Sequence, residues 1–201
     1  IALGVVDNKL WRAESTNRLS NCITTPLTLT NWVPASPNQY YAGSTTFPII
    51  SIKEYAGVPY VIKRDGVYTP DIKADFHNQA PQMEVYPHAD NGWGAFKAFG
   101  YLFVPSIQGL LRLTYGESKV VGPELSSRPD FLIKVRAGLE YGGALYVLCT
   151  DELAVSNTFI CKIMRNGDSY IPHEFLRLGT ISLAYFLSLF PLDVSQAGIL
   201  F

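Results

Sequence analysis

The stretch Gly100-Tyr101-Leu102-Phe103-Val104, followed by the turn Gln108-Gly109 and the run Leu110-Leu111-Arg112-Leu113, decides how this chain is read. An apolar run that breaks at a turn and then resumes has the pattern of two antiparallel strands joined by a short connection. The same phrase recurs at fixed spacing: Gly57-Val58-Pro59-Tyr60-Val61 lies 43 positions before it and Gly143-Ala144-Leu145-Tyr146-Val147 lies 43 after. Three positions coincide across the copies, namely Gly57/Gly100/Gly143, Tyr60/Phe103/Tyr146 and Val61/Val104/Val147. Each glycine stands where a tight hairpin requires positive φ.

Working outward from these phrases, every copy extends into further short strands. Phe47 to Tyr55, Val58 to Lys63 and Val67-Tyr68-Thr69 precede a candidate outer strand at Met83-Glu84-Val85-Tyr86. In the next copy, Ala95 to Phe99, Tyr101 to Pro105 and Leu110 to Tyr115 precede Lys119-Val120-Val121. The third runs through Leu132 to Tyr141, Ala144 to Cys149 and Thr158 to Met164, and closes on Phe175 to Leu178. A repeat of roughly 40–50 residues with about four short strands per unit is the period of a β-propeller blade. One such sheet is too small to bury both faces, so blades stack on each other.

The expected fold is therefore all-β and β-propeller-like, with four-stranded antiparallel blades forming a partial ring or a fragment of a larger propeller. The expected segments are a partial, irregular first blade over 1–48, blades over 49–93, 94–131 and 132–179, and a partial blade over 180–201. Thr180 to Tyr185 opens that last unit, whose echo near Leu189 has lost its glycine. Residues 1–12 read as the second half of a unit, with Leu3 matched to Tyr60, and Thr24 to Thr30 reads as a strand. The apolar ends, at Ile1 and at Ile199-Leu200-Phe201, suggest a piece of a longer polypeptide.

Composition narrows the function. Apolar residues make up 48% of the 201, enough for a core, and charged residues only 16%. With a net charge of −1 and no run of Lys or Arg, no surface is suited to tracking phosphates, and nucleic acid is not an expected partner. Thr180 to Phe190 is too short for a helical membrane span of about 20 residues, so no membrane insertion is expected. Cys22, Cys149 and Cys161 form no metal-binding spacing, Cys149 and Cys161 read as two small apolar residues in a sheet, and neither a metal nor a cofactor is expected.

The phrase Ile52-Lys53-Glu54-Tyr55-Ala56-Gly57-Val58-Pro59-Tyr60-Val61, with Asp65-Gly66-Val67-Tyr68, resembles the first three strands of a generic propeller blade. Its turn glycine and aromatic-Val pair resemble blades of propellers in viral and phage structural proteins, including tail and receptor-contact components. The pairs that mark WD40 blades, the box that marks sialidase propellers and the kelch glycine pairs are absent, apart from Gly142-Gly143. The resemblance implies a non-enzymatic structural or binding module, a phage tail or capsid-associated component of a virion or an extracellular surface. Its implied partners are other protein subunits of an assembly and a surface glycan.

The polar stretch Asp71 to Asp90 holds Asp71, Asp75, His77, Glu84, His88 and Asp90 at irregular spacing, and reads as a solvated loop. The candidate binding residues are the loop aromatics Trp32, Tyr40, Tyr41 and Trp93, whose rings can stack on sugars or anchor a protein interface. The alternative is a propeller enzyme acting on glycans or phosphoesters. Its carboxylates would be Glu54 and Glu140, at equivalent positions of two blades, with Lys97 between them in the repeat.

Overall fold

The computed structural model describes residues 2–21, 39–70, 76–114, 116–121, 133–151, 158–167 and 169–179. These carry four four-stranded antiparallel sheets, each with its strands in sequence order. The first sheet is β1 (Leu3–Val6), β2 (Lys9–Ala13), β3 (Arg18–Asn21) and β4 (Gln39–Tyr41). The second is β5 (Ile49–Tyr55), β6 (Val58–Lys63), β7 (Gly66–Pro70) and β8 (Phe76–Asn78). A short helix, α1 (Pro81–Val85), follows it. The third sheet is β9 (Phe96–Ala98), β10 (Tyr101–Ser106), β11 (Gly109–Thr114) and β12 (Glu117–Val121). The fourth is β13 (Ile133–Tyr141), β14 (Ala144–Asp151), β15 (Thr158–Asn166) and β16 (Ser169–Gly179). The chain is all-β and propeller-like, built of four-stranded blades. Among the described residues no helix is long and apolar enough to cross a membrane.

The repeated glycines mark the first hairpin of each sheet. Ala56-Gly57, Phe99-Gly100 and Gly142-Gly143 all have positive φ, between 50° and 78°. Two successive positive φ values define the type I′ turn, whose twist matches that of the flanking strands. The first sheet makes the same turn without glycine: Asp7 and Asn8 adopt φ of 48° and 56°. Asn and Asp tolerate this region better than other side chains. The reading of residues 1–12 as the second half of a unit is thereby corrected. They form the first hairpin, Asn8 stands in the place of Gly57, and Trp11, not Leu3, takes the place of Tyr60. Ala56 lacks this tolerance, and it is exposed at a hairpin tip. Ala56→Asn, which creates Asn-Gly, is expected to raise stability by about 0.5–1 kcal/mol. Thermal denaturation reads this as a higher Tm, and a lower one would mean that the I′ turn is not what limits this hairpin.

The outer strand of the second sheet is also not where expected. Met83 to Tyr86 does not form it: Pro81 occupies the start of α1, and Met83 is buried as a helical residue. Proline fits the first turn of a helix because its missing N–H would have no partner there. Phe76–Asn78 supplies the outer strand, pairing with Tyr68–Pro70. Pro59 is tolerated inside β6 because it precedes Val61, where pairing with β7 begins.

The chain divides into two compact units, residues 1–93 with 113–119, and 94–112 with 120–201. In the first unit, sheet one packs on sheet two through Val6, Trp11, Leu19 and Ala42 against Ile52, Val61, Tyr68 and Phe76. Gly4 permits the close approach, since a Cβ there would stand 2.6 Å from the Ile52 carbonyl oxygen. In the second unit, Phe96, Phe103 and Leu110 pack on Val135, Leu145, Val147 and Cys161. Within the units, Trp11 and Phe103, the repeated aromatics of sheets one and three, thus face the following sheet, and Val61 and Val147, the repeated valines of sheets two and four, face the preceding one. Cys149 and Cys161 are free thiols buried in that second core. Burial raises the Cys149 thiol pKa well above the usual range, with Cys161 adding to the effect.

Candidate functional site

The best-defined polar arrangement lies in the first unit, where β6 turns into β7. Side chains alternate along a strand, so Lys63 shares the face of Val61 and points toward the first sheet. It is fully buried. Its Nζ donates to the carbonyl oxygen of Ala42 at 3.0 Å and to that of Ser44, and lies 5.4 Å from the Tyr68 ring centroid. Burial holds the Lys63 ammonium below the ordinary pKa of 10.5, and the nearby Asp65 carboxylate opposes that shift. Asp65, also buried, accepts a hydrogen bond from Ser44 Oγ at 3.4 Å. Tyr68 is pushed up to about 12, first by burial, then by the charges of Asp65 and Glu84 and by its hydrogen bond to Asp65. Lys63, Asp65 and Tyr68 thus tie the connection between β4 and β5 to the second sheet.

The same turn holds an outer loop. Asn91 is fully buried, and its Nδ2 donates to the Arg64 carbonyl at 3.0 Å and the Tyr86 carbonyl at 2.9 Å. Asn78 Oδ1 accepts from the N–H of Val67 at 3.2 Å and from that of Ala80 at 2.9 Å, which fixes the entry to α1. The buried Asn91 amide therefore ties the start of loop 86–93, at the Tyr86 carbonyl, to the turn between β6 and β7 at the Arg64 carbonyl. The outer surface of this loop carries Tyr86, 53% exposed, and Trp93, 45% exposed. The Trp93 indole donates Nε1–H to the Ala89 carbonyl at 3.0 Å, so its orientation is set while its ring stays open to solvent. His88 Nδ1 accepts from the Asp90 N–H at 3.2 Å. Aromatic faces beside carboxylate and imidazole groups can stack on an apolar ring face and hydrogen-bond its rim.

Of the predicted aromatics among the described residues, Tyr40 is half-buried while Tyr41 and Trp93 are exposed. Trp32 lies outside the described residues, as does the strand expected over Thr24 to Thr30. Tyr40 is not on a loop: it lies on β4, half-buried, 5.2 Å from Trp11 and 5.9 Å from Phe76 between ring centroids, and so packs the first sheet on the second. Tyr41, its neighbour on β4, is exposed and paired in register with Arg18. Trp93 is joined in its loop by Tyr86, which the sequence pattern places on an outer strand but which follows α1.

Lys63, Asp65 and Asn91 were also missed. The available signal was a lysine in phase with Val61 on the inward face of a strand, followed by a carboxylate in the adjoining turn. In the stretch 71–90, residues 71–75 lie outside the described part, and among the described residues no group of three metal-ligating side chains is found. The two carboxylates weighed for catalysis each accept a backbone hydrogen bond. Glu54 Oε1 takes the Gly57 N–H at 2.8 Å, and Glu140 Oε2 takes the Phe99 N–H. Lys97 is exposed on β9.

No family model matches the chain, and no curated protein matches it in sequence. Among solved structures it is similar to a GH43 glycoside hydrolase whose engineered active site displays both endo-xylanase and exo-arabinofuranosidase activity. The identity is 12% and the TM-score 0.41, over 89% of this chain and 41% of that one. The chain thus spans about two fifths of the length of that enzyme.

Proposed function

We propose that the chain is a non-enzymatic binding module whose loop 86–93 contacts a glycan. One observation carries this reading: the Trp93 ring is exposed while its N–H is bonded internally, on a loop clamped by the buried Asn91. A ring already held in place loses little conformational entropy on binding, and its open face suits the C–H face of a sugar. Tyr86 adds a second exposed ring, and His88 and Asp90 add hydrogen-bonding groups at the rim. The backbone hydrogen bonds of Glu54 and Glu140 support a structural use for both carboxylates and so favour binding over hydrolysis.

The experiment is capture on a printed oligosaccharide array. The intact chain should retain defined neutral glycans, and Trp93→Ala should lose them with an unchanged Tm. Retention that is indifferent to Trp93→Ala, or retention of none, contradicts the reading. Release of reducing ends from the retained glycans would instead support the glycan-acting enzyme. The same reading places the module among other protein subunits of an assembly at a virion or extracellular surface. Its isolation from the native source as a single soluble protein would contradict that placement.

A further inference from the structure

Asparagine followed by glycine occurs twice in the chain, at Asn91-Gly92 and at Asn166-Gly167. The pair carries a latent reaction. The backbone nitrogen of the glycine can attack the asparagine Cγ, and glycine has no side chain to obstruct the approach. The new Cγ–N bond closes a succinimide ring, the Cγ–Nδ2 bond breaks, and ammonia leaves with the proton of the attacking amide. Water then opens the ring at either carbonyl, which gives aspartate or isoaspartate. Water is the only co-reactant.

The fold treats the two pairs differently. Asn91 is fully buried, and its Nδ2 donates to the Arg64 and Tyr86 carbonyls at 3.0 and 2.9 Å. Its backbone N–H donates to the His88 carbonyl at 3.1 Å. Gly92 is packed as well, since a Cβ there would stand 2.7 Å from Ile62 Cγ2. Ring closure at Asn91 would break buried hydrogen bonds and leave their carbonyls without a donor. Asn166 is the last residue of β15 and is exposed. Gly167 is exposed too, with φ of 60° and nothing within 4 Å of a would-be Cβ. Asn166 pairs with Ser169 at the tip of the β15–β16 hairpin, so ring closure needs only that tip to open. Such ends open at far lower free energy than buried segments do.

We propose that Asn166 is a site of spontaneous deamidation, selected by the fold, while Asn91 keeps its amide. Conversion adds a negative charge next to Arg165, whose Nε donates to the Gly167 carbonyl at 2.9 Å. The isoaspartate form also lengthens the main chain at the Asn166–Ser169 pair. The site lies in the second unit and does not depend on what loop 86–93 binds.

The test is incubation of the intact chain in mildly alkaline buffer made with heavy-oxygen water, followed by digestion in ordinary water and peptide mapping by mass spectrometry. Heavy oxygen in the new carboxylate separates conversion in the folded chain from conversion during digestion. A parallel incubation in guanidinium chloride gives the rates of the unfolded chain. In the folded chain Asn166 should convert at least about tenfold faster than Asn91, to both acids. In the unfolded chain the two rates should approach each other. Asn166→Gln should fold as the parent does, because the side chain is exposed, and should not form the acidic species that ion exchange resolves from the ageing parent. An Asn166 that keeps its amide in the folded chain while the unfolded chain converts it would overturn the proposal. Equal conversion of Asn91 and Asn166 in the folded chain would overturn it too, because the Asn-Gly pair alone would then set the rate.

Discussion

Methionine in place of Lys63 is expected to lower the stability of the first unit by about 2–4 kcal/mol. The substitution keeps the apolar stem and removes the donor. The carbonyls of Ala42 and Ser44 then lose the hydrogen bonds that Nζ makes to them. A buried carbonyl without a donor costs ~1–3 kcal/mol. Asp65 also loses the cation that shares its buried surroundings. Denaturant unfolding measures the loss, and a change below about 0.5 kcal/mol would show that the connection between β4 and β5 is held by other contacts.

In the alkaline range Lys63 and Tyr68 act on stability with opposite sign. The Lys63 pKa is lowered on folding from its ordinary 10.5, so the folded chain sheds this proton first. Stability therefore gains from Lys63 as pH rises from that lowered value to 10.5. Tyr68 acts oppositely. The unfolded chain ionises its tyrosine at about 10 and the folded chain only at about 12, so stability falls across that interval. Lys63→Met should remove the gain, and Tyr68→Phe should remove the fall.

Gly94→Ala is expected to cost the second unit more still, at least about 3 kcal/mol. A Cβ on Gly94 would stand 1.6 Å from the carbonyl oxygen of Arg136, which is backbone and cannot rotate aside. Arg136 is the extra residue of a bulge between Val135 and Ala137 on β13, which explains why its carbonyl leaves the ladder and reaches Gly94. The glycine also has φ of 65°, a conformation that strains any side chain. The measurement is the equilibrium unfolding of Gly94→Ala beside Gly100→Ala. Gly100 has φ of 74° but nothing within 4 Å of its would-be Cβ. Gly100→Ala should therefore lose only the turn preference, about 1 kcal/mol. Equal losses would show that the bulge yields to the new methyl group.

These contrasts mark what could be read from the chain. Gly57, Gly100 and Gly143 announce their role locally, because a two-residue I′ turn restricts φ whatever surrounds it. Asp7-Asn8 makes the same turn with different residues, and the first copy was set out of register for that reason. Gly4 and Gly94 are required by backbone from elsewhere in the fold, Ile52 and Arg136, so no local pattern marks them. Met83 and Val85 alternate as a strand would, but Pro81 and the Asn78 side chain turn the segment into a helix.

At the site, Trp93 was legible as an aromatic among polar loop residues. Tyr40 carries the same signature and is consumed by packing on Trp11 and Phe76. The difference lies in tertiary contacts. The support beneath Trp93, made by Asn91 on the Arg64 carbonyl, joins residues distant in sequence and left no trace in spacing.

The most direct measurement of the binding account is calorimetric titration of one array-selected oligosaccharide into the parent chain, Trp93→Phe and Trp93→Ala. The account expects Trp93→Phe, which keeps a stacking face, to stay within about threefold of the parent. Trp93→Ala should weaken binding about 30-fold, the ~2 kcal/mol of a hot-spot aromatic, at unchanged Tm. Equal affinity of Trp93→Ala and the parent would contradict it.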